Sequence, residues 1–355
     1  NNPKDEKTAM TRFYIGTYTS GESEGIYRLD FNQETGEIGE VTLASKTENP
    51  SFLADGGGFI YAVNEDVESE PNAMITAWEI APDGSLSETD RISSEGAYAC
   101  YITTHENFAL VANYGGGSVL SIPIESAGTF GGPSQLIQHE GHGPDSSRQE
   151  GPHAHSIVLS PDKSIALSAD LGIDKVMIYE VQERGMLMPA DPPYIQMDPG
   201  AGPRHIAFHP TSGHMYVINE LNNTVSVFDY EGNRFIKKQT IGTVPENSGG
   251  VSYCADIHVH PSGKFLYGSN RGHDSIVVFA IAKDGTLSVL QHFDNDVNWP
   301  RNFHITANGK YILIANERGN SIVVGEINQE TGKITDTGKR IPVPAPVCIL
   351  AIKES

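Results

Sequence analysis

The sequence predicts an all-β protein, a seven-bladed β-propeller whose ring is closed by a C-terminal inner strand joining the N-terminal blade. Three observations lead to this prediction. One short segment recurs through the whole chain, the residues around each copy alternate as in antiparallel strands, and no window carries a sustained helical period. A length of 355 residues would by itself suggest two domains. The repeat instead predicts one propeller domain over residues 11–355, preceded by a disordered tail over residues 1–10.

The recurring segment has seven copies, whose starts are 47, 49, 57, 49, 51 and 46 residues apart. Every copy begins with Tyr or Leu, and five copies carry Asn at the fourth position. A period of roughly 50 residues is typical of propeller blades. The copies are Tyr14–Tyr18, Tyr61–Glu65, Leu110–Tyr114, Leu167–Leu171, Tyr216–Glu220, Tyr267–Arg271 and Leu313–Glu317.

Each copy has the surroundings of a second strand in a four-stranded blade. A turn such as HPTSG (209–213) or HPSGK (260–264) precedes it, and a polar loop follows it. Next comes an alternating run rich in Val, Ile, Tyr and Phe, then a further turn and a weaker fourth strand. The third-strand runs are Ser118–Ile124, Lys175–Val181, Thr224–Tyr230, Ser275–Ile281 and Ser321–Ile327.

Closure of the ring is predicted from the two ends of the chain. An open ring would leave two sheet edges unpaired, which folded proteins avoid. The run PVCILAI (346–352) resembles a first strand such as PRHIAF (203–208), whereas the N-terminal YIGTY resembles a second strand. We therefore expect one shared blade, with its innermost strand supplied by the C-terminus.

The repeat also locates one mouth of the central channel. Strand two runs antiparallel to strand one, so its end lies at the face where strand one starts. Counting back fifteen positions from each repeat Asn, or from the equivalent Asp170, gives six strand starts, and Val347 of the closing strand is the seventh. Together the two rings collect three Arg, one His and three Glu. The starts are Asn49, Tyr98, His155, Arg204, Ala255, Arg301 and Val347, and the ends are Tyr18, Glu65, Tyr114, Leu171, Glu220, Arg271 and Glu317.

The stretch HEGHGPDSSRQEGPHAHS (139–156) fills the longest spacing in the repeat and should lie over the channel. His155 is expected to head an inner strand, with His153 two residues earlier. This stretch could be a zinc site, a plain loop with solvated histidines, or a polar substrate lip. Because no pattern supplies a third metal ligand nearby, we expect neither a metal nor another cofactor.

Two interpretations remain for Arg204, Arg271 and Arg301. They could form salt bridges that tie adjacent blades together, or they could bind an anionic small molecule through bidentate guanidinium contacts. A net charge of −21 argues against nucleic acid or an anionic membrane as the partner, and it makes a local Arg cluster notable. The nearby inner-strand residues His205, Asp256 and His258 are further candidates for substrate binding, although alternation directs them towards the next blade.

Four stretches resemble the propeller-type 6-phosphogluconolactonases, a family similar to the fungal carboxymuconate-lactonising enzymes. They are GAGPRHIAFHP (200–210), YVINELNNTVSVF (216–228), ADIHVHPSGKFLY (255–267) and RGHDSIVVF (271–279), and RQEGPHAHS (148–156) is also similar to a segment of that family. The resemblance implies a seven-bladed propeller that hydrolyses 6-phospho-D-glucono-1,5-lactone, an anionic sugar lactone, to 6-phosphogluconate. It also implies His155, Arg204, Glu220 and Arg271 as catalytic residues.

We further assign Arg301, His153, His205, His258 and Asp256 as candidate substrate-binding residues. The sequence leaves open whether His155 or Glu220 is the general base. No Gly-x-Ser-x-Gly motif is present, which disfavours a covalent serine mechanism. Another lactone as substrate, or a propeller that binds a ligand without turnover, are the alternatives.

Cellular location and assembly are less constrained. Three cysteines, Cys100, Cys254 and Cys348, are widely spaced and should be buried thiols. The resemblance implies a cytoplasmic enzyme, whereas the absence of an initiator Met leaves an exported, processed form open. The sequence gives no indication of the oligomeric state.

Overall fold

The computed structural model describes residues 10–352 and contains seven antiparallel sheets of four strands each, which pack side by side around a central channel. The predicted seven-bladed β-propeller is therefore confirmed. Within residues 10–352, the 3₁₀ turn Glu183–Gly185 is the only helical segment, and no helix has the length and apolar character of a membrane span.

The blades are numbered in chain order, and within each of blades 2 to 7 the strands follow one another from the channel outwards. Blade 1 contains β1 (Met10–Thr17), β2 (Gly25–Asn32) and β3 (Ile38–Lys46). Blade 2 contains β4 (Pro50–Asp55), β5 (Phe59–Asn64), β6 (Met74–Ile80) and β7 (Leu86–Ser93). Blade 3 contains β8 (Ala99–His105), β9 (Phe108–Asn113), β10 (Ser118–Pro123) and β11 (Gln135–Gln138).

The remaining strands have the same antiparallel arrangement. Blade 4 contains β12 (Val158–Leu159), β13 (Ile165–Asp170), β14 (Lys175–Val181) and β15 (Leu187–Gln196); blade 5 contains β16 (Pro203–Phe208), β17 (His214–Asn219), β18 (Thr224–Glu231) and β19 (Arg234–Gly242). Blade 6 contains β20 (Tyr253–Val259), β21 (Phe265–Arg271), β22 (Ser275–Ile281) and β23 (Leu287–Phe293); blade 7 contains β24 (Pro300–Ile305), β25 (Tyr311–Asn316), β26 (Ser321–Ile327) and β27 (Ile334–Pro342).

The last strand, β28 (Pro346–Ala351), closes the ring. It pairs antiparallel with β1, placing Ile349 opposite Ile15, and it forms the inner edge of blade 1. The predicted closure is therefore confirmed. The predicted tail over residues 1–10 lies outside the described residues except for Met10, which begins β1 because it pairs with Asn32 of β2.

The hydrophobic core is a ring of interfaces between blades. Seven clusters of buried apolar side chains are present, one at each junction between neighbouring blades. The junction between blades 7 and 1, for example, packs Phe13 and Ile349 against Leu313. Since each blade buries both of its faces in this way, residues at successive strand positions are apolar.

The repeat Asn explains how each second strand is held at the mouth. The five Asn side chains are fully buried. In four of them the side-chain amide N–H donates to a backbone carbonyl of the segment that enters the same blade. Each bond gives a hydrogen-bond partner to the buried amide and to the carbonyl. These bonds run from Asn64 to Glu48, from Asn113 to Ser94, from Asn270 to Thr243 and from Asn316 to Asp296.

The repeat Tyr links one blade to the next. In all four copies that begin with Tyr, the buried hydroxyl donates at 2.6–2.8 Å to a glycine carbonyl in the turn between strands three and four of the following blade. Each of these glycines has a positive φ, which favours glycine over other residues. The pairs are Tyr14 with Gly84, Tyr61 with Gly128, Tyr216 with Gly285 and Tyr267 with Gly332.

Blade 4 departs from the predicted strand starts. Its inner strand begins only at Val158, whereas His155 was expected to head it. The Ser168 hydroxyl donates to the Ser156 carbonyl, so a side chain takes the place of a ladder bond there. His155 still keeps the strand-start position, because its backbone N–H donates to the Ala169 carbonyl at 2.9 Å.

Candidate active site

A cavity of about 320 Å³ opens at the predicted mouth, and every blade contributes to it. Its polar lining is supplied by second-strand ends, by first-strand starts and by the loop between blades 3 and 4. Lining residues are Tyr18, Glu65, Tyr114, Arg148, His155, Glu220, Tyr253, Arg271, Trp299 and Arg301. The repeat register therefore located the mouth correctly.

Glu220 stands at the centre of a buried ion cluster. Its Oε1 accepts from Arg271 Nη2 at 2.6 Å and from Arg204 Nε at 3.2 Å, and its Oε2 accepts from Arg148 Nη2. The carboxylate thus uses both oxygens to hold three guanidinium groups. Burial alone would raise the pKa of Glu220, but Arg271, Arg204 and Arg148 outweigh it and lower the pKa to about 2.

Arg204 lies behind this cluster and is 1% exposed. Its Nη1 donates to the Ala255 carbonyl at 2.7 Å and lies 3.2 Å from His205 Nε2. Burial and the neighbouring Arg271 lower the pKa of Arg204 to about 9, so the guanidinium remains charged at neutral pH. Arg204 therefore lies behind Glu220 and is not among the residues that line the cavity, and its catalytic role stays a prediction.

Arg148 was not identified from the sequence. It belongs to the loop over the channel, which is anchored by the fully buried neighbour Gln149 through bonds to the Leu171 carbonyl and to Asp174. Gly172 lets the loop approach closely, since a Cβ there would overlap the Gly151 carbonyl. Arg148 is the first residue of RQEGPHAHS (148–156), but nothing in the sequence around it indicates that its side chain turns inwards.

The four histidines of this loop have four different environments. His155 lines the cavity, and burial, reinforced by Arg204 and Arg301, lowers its pKa well below the usual value. His153 stacks on the Tyr114 ring at 4.5 Å and makes a 2.9 Å bond to the Tyr114 carbonyl. His139 is buried between Asp170 and Tyr179, and His142 is exposed. Only His155 is therefore placed to meet a ligand in this cavity.

Glu65 and Arg301 form the other side of the cavity. Arg301 Nη2 lies 3.8 Å from Glu65 Oε1, and the guanidinium is 5.3 Å from the centre of the Tyr18 ring. Burial would lower the pKa of Arg301, but Tyr18 and Glu65 outweigh it and raise the pKa. This pair is looser than the Glu220 cluster, so its groups remain available to a ligand.

Aromatic rings frame the cationic groups. Arg148 lies 5.4 Å from the centre of the Tyr253 ring, and Arg271 lies 5.6 Å from that of Trp299. Such cation–π contacts fix the guanidinium planes without neutralising their charge. Tyr253 and Trp299 were not singled out from the sequence, because neither occupies a position counted in the two rings.

The predicted residues His205, Asp256 and His258 line a second cavity of about 330 Å³, farther along the inner strands. Asp256 accepts from His205 Nδ1 at 3.0 Å and from His258 Nε2 at 2.8 Å, and it also bonds Asn302 of blade 7. His205 and Asp256 thus bridge blades 5 and 6, as alternation indicated. The three residues are not among those that line the mouth cavity.

Among residues 10–352, no three His, Cys, Asp or Glu side chains are grouped so that they could hold a metal ion. The cysteines Cys100, Cys254 and Cys348 are buried free thiols. That the reaction needs no metal stays a prediction.

Comparison with known proteins decides the family. A family model described as lactonase, 7-bladed β-propeller, matches residues 12–351. The chain belongs to this lactonase family. The lactonase is 33% identical over 350 residues to 6-phosphogluconolactonase of Bacillus subtilis, covering 96% of this chain and 98% of the relative.

Solved structures agree with this assignment. A candidate 6-phosphogluconolactonase from Bacteroides fragilis superposes with a TM-score of 0.92 at 34% identity, covering 99% of the lactonase and 100% of that chain. A periplasmic gluconolactonase from Pseudomonas aeruginosa gives 0.91 at 28% identity, covering 97% and 99%. The lactonase is therefore a hydrolase that acts on lactone ester bonds, which confirms the predicted enzyme class.

Proposed function

We propose that the lactonase hydrolyses 6-phospho-D-glucono-1,5-lactone to 6-phosphogluconate, the second step of the oxidative pentose phosphate pathway, at the mouth cavity. One observation carries the proposal. A chain with a net charge of −21 places three Arg in the lining of one cavity of about 320 Å³ and a fourth directly behind it. Such a cluster suits a substrate that carries a phosphate and develops an oxyanion.

The Arg residues divide by exposure. The Arg148 side chain is 33% exposed and lies at the rim, so we assign it to the phosphate. Arg301 and Arg271 lie deeper, and we assign them to the lactone carbonyl, where they stabilise the oxyanion that forms when water attacks. Burial lowers the pKa of His155 well below its usual value, which favours the neutral imidazole, and we assign His155 to hydrogen-bond the same oxygen or the ring oxygen. Glu220 holds the three guanidinium groups in place.

A second candidate substrate is the unphosphorylated glucono-1,5-lactone. The favouring observation is that Glu220 already neutralises part of the charge of Arg148, Arg204 and Arg271. The likeness to the Pseudomonas gluconolactonase supports the same alternative. If this alternative holds, we infer an exported form, because the similar Pseudomonas gluconolactonase is periplasmic; the phosphorylated substrate goes with the cytoplasmic location that the family resemblance implies.

The test is the ratio of kcat/KM for the two lactones, measured as acid release in a pH-stat after subtraction of spontaneous hydrolysis. A charge-assisted contact of roughly 1.5–3 kcal/mol predicts a preference of about 10- to 100-fold for the phosphorylated lactone. Arg148→Ala should remove that preference and leave hydrolysis of gluconolactone unchanged. Equal or reversed kcat/KM values for wild type would reject the phosphorylated substrate.

A further inference from the structure

Two carboxyl groups of the described residues line the mouth cavity, and they differ in how many guanidinium groups bind them. Glu220 uses both of its oxygens on the guanidinium groups of Arg148, Arg204 and Arg271. A general base needs an oxygen lone pair that is directed at the water and a pKa close to the working pH. Glu220 meets neither requirement, because both of its oxygens accept bonds from guanidinium groups and its pKa is about 2.

Glu65 has different surroundings. It directly follows β5 of blade 2, on the opposite side of the cavity, and its side chain is 15% exposed. The Arg301 guanidinium is 3.8 Å away, which is beyond hydrogen-bond distance, and the Tyr18 hydroxyl interacts with the carboxyl group. The Glu65 carboxyl group lines the cavity with fewer partners than Glu220, and a cation lies beside it to orient a water or a carbonyl.

The charged groups around Glu65 come from several blades. Burial is the largest influence on the pKa of Glu65 and raises it, and Glu317 raises it further. Arg301, Tyr18 and Arg204 lower the pKa, but the net result is an increase. The Cys100 thiol is also nearby, and burial raises the pKa of that thiol to about 12, so it stays neutral. His155 faces the same cavity with a lowered pKa, so it is a weaker base than an ordinary imidazole.

We propose that Glu65 is the general base that activates the attacking water. The assignment rests on the proposed function only in placing the lactone in this cavity, not in the presence of a phosphate. The carboxylate removes one proton from water while the water oxygen bonds to the lactone carbonyl carbon, and the carbonyl π electrons move onto its oxygen. When the carbonyl re-forms, the bond to the ring oxygen breaks, and Glu65 returns its proton to that oxygen. The product acid then loses its proton to solvent.

The experiment compares the pH dependence of kcat for wild type, Glu65→Gln, Glu65→Asp and Glu317→Gln. In wild type, kcat should fall as the pH drops through the pKa of Glu65. Glu65→Gln should lower kcat by about 10²–10³-fold and abolish this acidic limb, with KM within about threefold of wild type. Glu65→Asp should retain the limb at reduced kcat. Glu317→Gln removes a carboxyl that affects Glu65 without lining the cavity, and it should change kcat less than about threefold.

Circular dichroism and melting curves establish that each variant is folded. A folded Glu65→Gln protein with wild-type kcat, or with its acidic limb intact, would overturn the proposal. Loss of the limb in Glu220→Gln or His155→Gln, but not in Glu65→Gln, would assign the base to that residue instead. If wild type opens gluconolactone but not the phosphorylated lactone, only the substrate proposal fails, and the same series on gluconolactone still tests Glu65.

Discussion

Glu65 and Glu220 occupy the same position of the repeat, each directly after a repeat Asn, yet they differ in acid strength. Three guanidinium groups surround Glu220, whereas Glu65 has one loosely placed Arg. The sequence could place both residues at the mouth, because the position follows from the repeat. It could not separate their roles, because the groups that set each pKa come from other blades and from Arg148.

The lowered pKa of Glu220 predicts a contribution to acid stability. Its folded pKa is about 2, below the value of roughly 4.3 for an unfolded chain, so the contribution is complete above about pH 4.3. It is lost as the pH falls through about 2. The free energy of unfolding of Glu220→Gln should therefore decline less steeply than that of wild type from pH 5 to pH 2. Urea titrations at several pH values measure this, with exposed Glu37→Gln as control. Parallel slopes for wild type and Glu220→Gln would contradict it.

Arg148 at the rim should act on substrate binding more than on chemistry. A phosphate contact is present in both ground and transition states, so Arg148→Ala should raise KM for the phosphorylated lactone by about 10-fold or more and change kcat little. Arg148→Lys should recover only part of the affinity, because an ammonium lacks the planar fork. Steady-state kinetics of both variants check this. A drop in kcat at constant KM would instead place Arg148 at the carbonyl.

At the scale of strands, most of the fold was predictable. Alternation gave third strands whose bounds agree with β14, β22 and β26, since each blade buries its strands in the same pattern. The inner strand of blade 4 was not predictable, because its ladder is partly replaced by the Ser168 side chain. The position of the loop that carries Arg148 was predictable from the sequence. Its conformation was not, because it depends on the buried contacts of Gln149.

The tyrosine links predict a measurable contribution to stability. Tyr267 donates to the Gly332 carbonyl at 2.6 Å and is fully buried. Tyr267→Phe keeps the ring and removes one buried bond, so it should lower the free energy of unfolding by about 1–3 kcal/mol. Tyr194→Phe, at an exposed position, is the control and should change it by less than about 0.5 kcal/mol. Equal urea midpoints for the two variants would show that the link contributes nothing.

For the whole molecule, closure by β28 is the step on which the ring depends. Val347, Cys348 and Ile349 are buried, and Cys348 packs between blades 1 and 2 while Ile349 packs between blades 7 and 1. Deletion of residues 346–355 removes these contacts and exposes the inner edge of β1, so no stable folded monomer is expected. The control ends at Ile352 and keeps β28. An unchanged melting temperature of the longer deletion in differential scanning calorimetry would contradict the role of this strand.

The central claim is that the lactone is opened at the mouth cavity, where residues from all seven blades meet. The most direct measurement is acid release from fresh 6-phosphogluconolactone in a pH-stat, with spontaneous hydrolysis subtracted, for wild type and five folded variants. We predict that wild type accelerates the reaction and that each variant loses at least about 10-fold in kcat/KM, with about 10²–10³-fold in kcat where an oxyanion donor is removed. If all five turn over the lactone as wild type does, the mouth is not the active site. The variants are Arg204→Ala, Arg271→Ala, Arg301→Ala, His155→Ala and Glu220→Gln.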